Sequence, residues 1–124
     1  MNICIIDDDS LFCKYLGKIL TSQKTKVRYF SCIPDILLFE KFWFEICIVD
    51  IHIWEITSIS FLQNLIKTYP NIKIIISSGN INEHEYDILR NIGIDSNNVC
   101  IKPFTWKFIK EKISAWEKKS SLYK

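Results

Sequence analysis

Short apolar runs alternate with longer stretches of helical period from one end of the chain to the other. Asn2–Ile6 is a β-rich run that halts at three consecutive aspartates. Ser10–Leu20 places Phe12, Leu16, Ile19 and Leu20 on one stripe and predicts a helix. Lys26–Phe30 alternates as a strand does. Pro34–Phe42 opens on a proline suited to a first helical turn. Ile46–Val49 is a second apolar run, again stopped by an aspartate, Asp50. Ser60–Tyr69 puts Phe61, Leu62, Leu65 and Ile66 on one side, and Pro70 closes it. Ile72–Ile76 is the most hydrophobic run and leads into Ser77-Ser78-Gly79. Glu83–Ile92 reads as a helix, with Asn82 as N-cap and Gly93 as C-cap. Val99–Ile101 is a short strand before Lys102-Pro103. Thr105–Lys118 is a last amphipathic helix carrying Trp106, Ile109, Ile113 and Trp116 on one stripe.

The order is five successive strand–helix units. Strands apolar throughout belong to a parallel sheet covered on both faces. Right-handed crossovers leave few topologies. The expected architecture is a flavodoxin-like (βα)5 three-layer sandwich with strand order 2-1-3-4-5. One domain is expected over residues 1–120, with residues 121–124 as a C-terminal tail.

Composition narrows the class. The 124 residues are 48% hydrophobic, enough for a real core, and hold only 3 Gly and 3 Pro. A net charge of +2 is too mild to indicate nucleic acid. The lysines of the last helix, interrupted by Glu111 and Glu117, read as a solvated face. The 5 cysteines form no CxxC pair and read as buried free thiols of a reducing compartment. His52 and His84 have no partners at zinc-ligand spacing. No apolar stretch reaches bilayer length, and the first residues already form a strand-like run, so a cytoplasmic protein is expected.

In an open parallel sheet, ligands bind beyond the carboxyl ends of the strands. Asp7, Asp8 and Asp9 lie there after the first strand, Asp50 after the third, Ser77 and Ser78 after the fourth, and Lys102 after the fifth. Each has a plain structural reading. One aspartate of the triplet can cap the first helix, Asp50 can be a turn residue, and strand-end serines are common. Three aspartates exceed what a cap needs, and the conjunction is what points to chemistry. Clustered carboxylates call for a hard cation, and oxygen-only donors suit Mg²⁺. Carboxylate, hydroxyl and ammonium together form a set for handling phosphoryl groups.

These residues resemble the receiver domains of two-component response regulators, the CheY-like superfamily. Ile5-Ile6-Asp7-Asp8-Asp9-Ser10 is similar to the family's acidic segment and Ile48-Val49-Asp50 to its phosphoacceptor segment. Ile75-Ile76-Ser77-Ser78-Gly79 and Ile101-Lys102-Pro103-Phe104 match its hydroxyl and Lys-Pro-Phe segments. The resemblance spans essentially the whole chain. It implies that Asp50 accepts a phosphoryl group from a sensor histidine kinase or histidine phosphotransfer protein. It implies Mg²⁺ held by Asp7, Asp8, Asp50 and the backbone carbonyl of His52, with Ser78 and Lys102 engaging the phosphate and a cis Lys102–Pro103 bond. The kinase would dock on the first helix, where Leu11 and Tyr15 are candidates. Output would pass through the face of the last two helices and last strand, with Tyr86, Val99 and Trp106, to an effector protein, a linked output domain or a second copy of the chain. No direct role with nucleic acid or membrane is implied.

The sequence departs from the family at Trp54 and Ser58, where proline and glycine are usual, and at Val99, where an aromatic switch residue is usual. Two other readings use the same residues. A pseudo-receiver would keep the fold for binding without phosphorylation. A phosphatase of the haloacid-dehalogenase type would use Asp7 as nucleophile and Asp9 as general acid.

Overall fold

A computed structural model describes residues 1–31, 44–50, 56–102 and 106–122, with backbone only at 56–58, 106 and 117–122. The described elements are β1 (Asn2–Ile6), α1 (Ser10–Leu20), β2 (Lys26–Phe30), β3 (Ile46–Asp50), α2 (Ile56–Thr68), β4 (Lys73–Ser78), α3 (Glu83–Asn91), β5 (Val99–Ile101) and α4 (Trp106–Leu122). A 3₁₀ turn, Ser96–Asn98, fills the connection before β5. The predicted helix over Pro34–Phe42 lies outside the described residues.

The five strands form one parallel sheet in the order β2-β1-β3-β4-β5, as the alternating pattern predicts. Side chains alternate across it. One face carries Ile3, Ile5, Ile46, Ile48, Ile75 and Cys100, packed beneath Cys13, Leu16 and Leu20 of α1 and Ile109 and Ile113 of α4. The other carries Cys4, Ile6, Cys47, Val49, Ile74 and Ile76 beneath Phe61, Leu62 and Leu65 of α2 and Leu89 of α3. Burial of each large aliphatic side chain contributes roughly 1.5–3 kcal/mol, so the two layers together hold the sheet.

Three boundaries differ from the sequence reading. Helix α2 begins at Ile56 rather than Ser60, and its opening Ile-Thr-Ser-Ile is a stretch of low intrinsic helix propensity. Strand β4 runs on through Ser77 and Ser78, because both remain paired to β5. Helix α4 continues past Lys118 to Leu122, with no glycine or proline to stop it. The caps of α3 follow the expected chemistry. Asn82 accepts from the Glu85 N–H while the Glu85 carboxylate accepts from the Asn82 N–H, a capping box. At the other end Gly93 takes φ +99°, donating to Arg90 O while Ile94 donates to Leu89 O. That is a Schellman motif, whose left-handed residue favours glycine.

Candidate functional site

The carboxyl ends of β1, β3, β4 and β5 bring the singled-out polar residues together. Continuing the alternation, Asp7 follows Ile3 and Ile5 and Asp50 follows Ile46 and Ile48, so both belong to the face under α1 and α4. Lys102 follows Cys100 from the far side of the sheet. Its Nζ donates to Asp7 Oδ2 at 2.7 Å and to Asp50 Oδ2 at 3.2 Å. Asp7 is 1% exposed and Asp50 9%, whereas Asp8 faces solvent. One carboxylate oxygen from each of Asp7, Asp8 and Asp50 lies within 4.8 Å of the others.

Local structure fixes each group. The Asp9 N–H donates to Asp7 Oδ1 at 2.9 Å, which orients the carboxylate. Asp9 is the N-cap of α1, accepting from the Phe12 N–H at 3.0 Å. One aspartate of the triplet is thus spent on the helix, and two are left at the strand end. The Lys102 N–H donates to Ser78 O at 2.6 Å, tying the tips of β4 and β5. The Lys102 ammonium also lies 4.6 Å from the centre of the Phe12 ring, a cation–π contact.

Electrostatics follow from this crowding. Burial pushes the Asp7 carboxyl above its ordinary range. The Lys102 hydrogen bond pulls it partly back, while the neighbouring charge of Asp50 adds to the rise. Burial alone would lower the Lys102 pKa, but the bond to Asp7 and the charges of Asp50 and Asp7 outweigh it, and the ammonium is held above its usual value. One ammonium facing three carboxylates leaves excess negative charge. An oxygen-only donor set, part buried and open at Asp8, fits a hard divalent cation such as Mg²⁺.

The other predicted residues fall as follows. Ser78 is buried, and its hydroxyl both donates to Asn80 O at 3.0 Å and accepts from the Asn80 N–H at 3.3 Å. A side chain added at Gly79 would meet nothing within 4 Å, so the loop beside the site borders open space. Leu11 and Tyr15 are exposed, at 76% and 60%. Tyr86 and Val99 are half-buried against the layer under α2 and α3. His52, Trp54, the Lys102–Pro103 bond and the Trp106 side chain lie outside the described residues.

One contributor escapes the sequence reading: Phe12 appears there only as a core stripe residue, whereas its ring meets the Lys102 ammonium. Between Ser77 and Ser78 that reading takes Ser78 and keeps Ser77 as the alternative, and the alternation carried forward from Ile75 assigns Ser77 to the Asp50 face.

Solved structures of similar fold include a CheY-like response regulator receiver domain protein from Methanospirillum hungatei JF-1. It has a TM-score of 0.81 at 21% identity, covering 99% of this chain and 98% of that one. The signal receiver domain of a DNA-binding response regulator from Colwellia psychrerythraea 34H superposes with TM-score 0.82 at 18% identity, over 95% and 98% of the two chains. A response regulator from Burkholderia pseudomallei, solved with a phosphorylated aspartic acid, calcium ion and citrate, gives TM-score 0.73 at 21% identity over 94% and 72%. No curated protein matches the chain. The sequence profile of the response regulator receiver domain matches residues 3–114, nearly the entire length, and the chain therefore belongs to the response regulator receiver domain family.

Proposed function

We propose that this receiver domain accepts a phosphoryl group on Asp50 from the phosphohistidine of a sensor kinase or phosphotransfer protein, with Mg²⁺ as its cofactor. The observation that carries the reading is the Lys102 ammonium lying between Asp7 and Asp50 at the open edge of the sheet. A carboxylate oxygen of Asp50 attacks phosphorus in line. The bond from phosphorus to the imidazole nitrogen breaks, and the electron pair leaves with the imidazole. Asp50 becomes an acyl phosphate.

Asp7, Asp8, Asp50 and the backbone carbonyl of His52 would hold the ion. When bound, it supplies positive charge against the phosphoryl oxygens and the carboxylates. Lys102 supplies a second positive charge and orients the Asp50 carboxylate before transfer. Asp9 keeps α1 in place over the site through its cap. After transfer, a hydroxyl at the tip of β4 donates to a phosphoryl oxygen, either Ser78 on leaving its turn with Asn80 or Ser77, which shares the Asp50 face. The adjoining β4–α3 connection follows, a shift between two pre-existing arrangements of the same segment. The output surface is the α3–β5–α4 side, through Tyr86, Val99 and Trp106, toward an effector, a linked output domain or a second copy.

Membership of the family, the acidic cluster at the strand tips and the phosphorylated aspartate in the Burkholderia relative support this reading. The test is modification by acetyl phosphate or beryllofluoride with Mg²⁺, followed by intact mass and tryptophan fluorescence. Wild type is expected to respond and Asp50→Asn to stay silent while keeping its circular dichroism. Equal responses in both proteins remove Asp50 as acceptor.

A further inference from the structure

Lys102 reaches from the end of β5 to the tips of β1 and β3. Its side chain is 25% exposed, and its ammonium donates to Asp7 at 2.7 Å and to Asp50 at 3.2 Å. A long lysine stem has many rotamers, so a partly open one keeps its place only while its head is held. The carboxylates that hold it are the same ones placed among a divalent ion's ligands. A cation there shares the negative charge that fixes the ammonium and repels the ammonium by its own. Lys102 then needs a partner that the ion does not share.

Phe12 has the place and the chemistry for that. Its ring centre lies 4.6 Å from Lys102 Nζ. The face of a phenyl ring carries partial negative charge and attracts a cation without fixing the direction of any single N–H. The ring's own position is set by α1. The Phe12 N–H donates to the Asp9 carboxylate at the N-cap, and the half-buried side chain packs against the layer under α1 and α4. Apolar bulk alone would satisfy that packing, and a leucine supplies it. Only the ammonium calls for a π face.

We propose that Phe12 is a positioning residue for phosphoryl transfer, its ring holding the Lys102 ammonium over the strand tips while the ammonium's hydrogen bonds pass from carboxylate to phosphoryl oxygens. The ionic partners of Lys102 change as the ion and then the phosphoryl group arrive. The ring is the partner that stays the same throughout. The Asp9 cap thereby serves the site as well as the helix, because it fixes the turn from which the ring projects. This inference rests on the reading of Asp50 as phosphoacceptor.

The test compares wild type, Phe12→Leu, Phe12→Tyr and proteins carrying at position 12 phenylalanine with one, two or three ring fluorines. Fluorine drains the negative face of the ring while nearly keeping its shape. One readout is the second-order rate constant with acetyl phosphate at saturating Mg²⁺. The other is the ring-current shift of the Lys102 ε-methylene protons, measured by NMR without metal. Wild type is expected to show those protons shifted upfield, and Phe12→Leu to lose the shift. The rate constant of Phe12→Leu is expected to fall about three- to tenfold, the worth of one partly desolvated cation–π contact. Phe12→Tyr keeps the π face and should stay within about twofold of wild type. The fluorinated proteins should slow step by step with each fluorine, toward the rate of Phe12→Leu. A fluorinated series that reacts uniformly at the wild-type rate overturns the inference, since ring bulk is then all that the site uses, and this series decides the matter even if Phe12→Leu fails to fold. A reactive wild type whose Lys102 protons show no upfield shift overturns it too. A wild type that shows the shift but never reacts with acetyl phosphate overturns the phosphoacceptor reading itself, and the role built on it.

Discussion

The two faces of the sheet are built from the same five strands and are equally dry, yet they end differently. Under α2 and α3 the rows run Cys4 to Ile6, Cys47 to Val49, and Ile74 to Ile76, and the one polar strand end among the described residues, Ser78, is turned onto its own loop at Asn80. Under α1 and α4 the rows start with the same kind of side chain, Ile3 to Ile5, Ile46 to Ile48, then Ile75. There they run into Asp7, Asp50 and Ser77, and Lys102 closes the row from β5. The fold needs both faces to be apolar, but the chemistry needs only one of them to stop being so at the strand tips. Pairing places charge beside charge only where register lets the polar ends of separate strands meet, and the parallel order 2-1-3-4-5 is what lets them.

If the faces are equivalent as cores, truncating each should cost the same. Ile75 and Ile76 are adjacent in β4, point to opposite faces and are both fully buried. Ile75→Ala and Ile76→Ala are each expected to lose about 2–5 kcal/mol in urea unfolding. A loss at Ile76 much smaller than at Ile75 would break the equivalence, placing the structural weight under α1 and α4 alone.

The thiols sharpen the comparison in alkali. Burial pushes Cys13 up to about 11 and Cys100 up to about 12, against an ordinary value of 9.0, and both lie on the face that carries the site. Because the folded-state values are the higher ones, the thiols' contribution to stability is whole below pH 9 and is lost as pH climbs through 11 and 12. These two thiols are expected to cost wild type about 3 kcal/mol between pH 8 and pH 10 in urea unfolding. A Cys13→Ala/Cys100→Ala double variant should lose clearly less over the same interval. Parallel pH curves for the two proteins would show that the site face does not exclude water as its burial implies.

A smaller effect is expected at the charged end of that face. Lys102→Met leaves Asp7 and Asp50 opposite each other without their shared cation. At pH 7 this should cost about 1–2 kcal/mol, discounted from a fully buried pair because the lysine is partly open to solvent. The Asp7 carboxyl is already held above its ordinary range, so it takes up a proton early as pH falls. The penalty should therefore shrink through the acidic range as Asp7 is neutralised, leaving the part owed to the Asp50 pair. A penalty of constant size down to pH 4 would mean that the lysine stem, not its charge, is what the site loses.

The sequence carried the sheet order because unbroken apolar runs admit little besides a covered parallel sheet, and the aspartates stood out by interrupting those runs. Ser77 did not stand out. Which face a strand-end residue takes depends on where pairing stops, and β4 stays paired to Ser78 through contacts with β5 that only the fold reveals. Phe12 was legible as a helix residue turned toward the sheet, but not as the ring beneath Lys102, since ninety residues separate the two. Ile101 sits in an apolar run yet is 42% exposed, because β5 is an edge strand and the run hides its alternation. The start of α2 was blurred by β-branched and hydroxyl residues, which weaken any helical reading.

The smallest expected effect on stability lies outside both faces. Leu11 and Tyr15 sit on the solvent side of α1, one turn apart, at 76% and 60% exposure, while Cys13, Leu16 and Leu20 turn inward. Truncating exposed side chains usually changes stability by less than about 0.5 kcal/mol. The Leu11→Ala/Tyr15→Ala variant should therefore unfold within that margin of wild type. It should also react with acetyl phosphate at the wild-type rate, since neither side chain is among the groups at the strand tips. A small-molecule donor needs only those groups, but a protein donor must seat a phosphohistidine over them. On the proposed function, the exposed apolar pair beside the N-terminus of α1 is the surface offered to such a partner. Phosphotransfer from a phosphorylated histidine domain is expected to slow by about tenfold or more, in keeping with the energy that a few buried aromatic and aliphatic anchors carry at interfaces. A variant slowed equally with both donors would put Leu11 and Tyr15 to work in shaping α1 rather than in docking. One slowed with neither would move the docking surface elsewhere on the molecule.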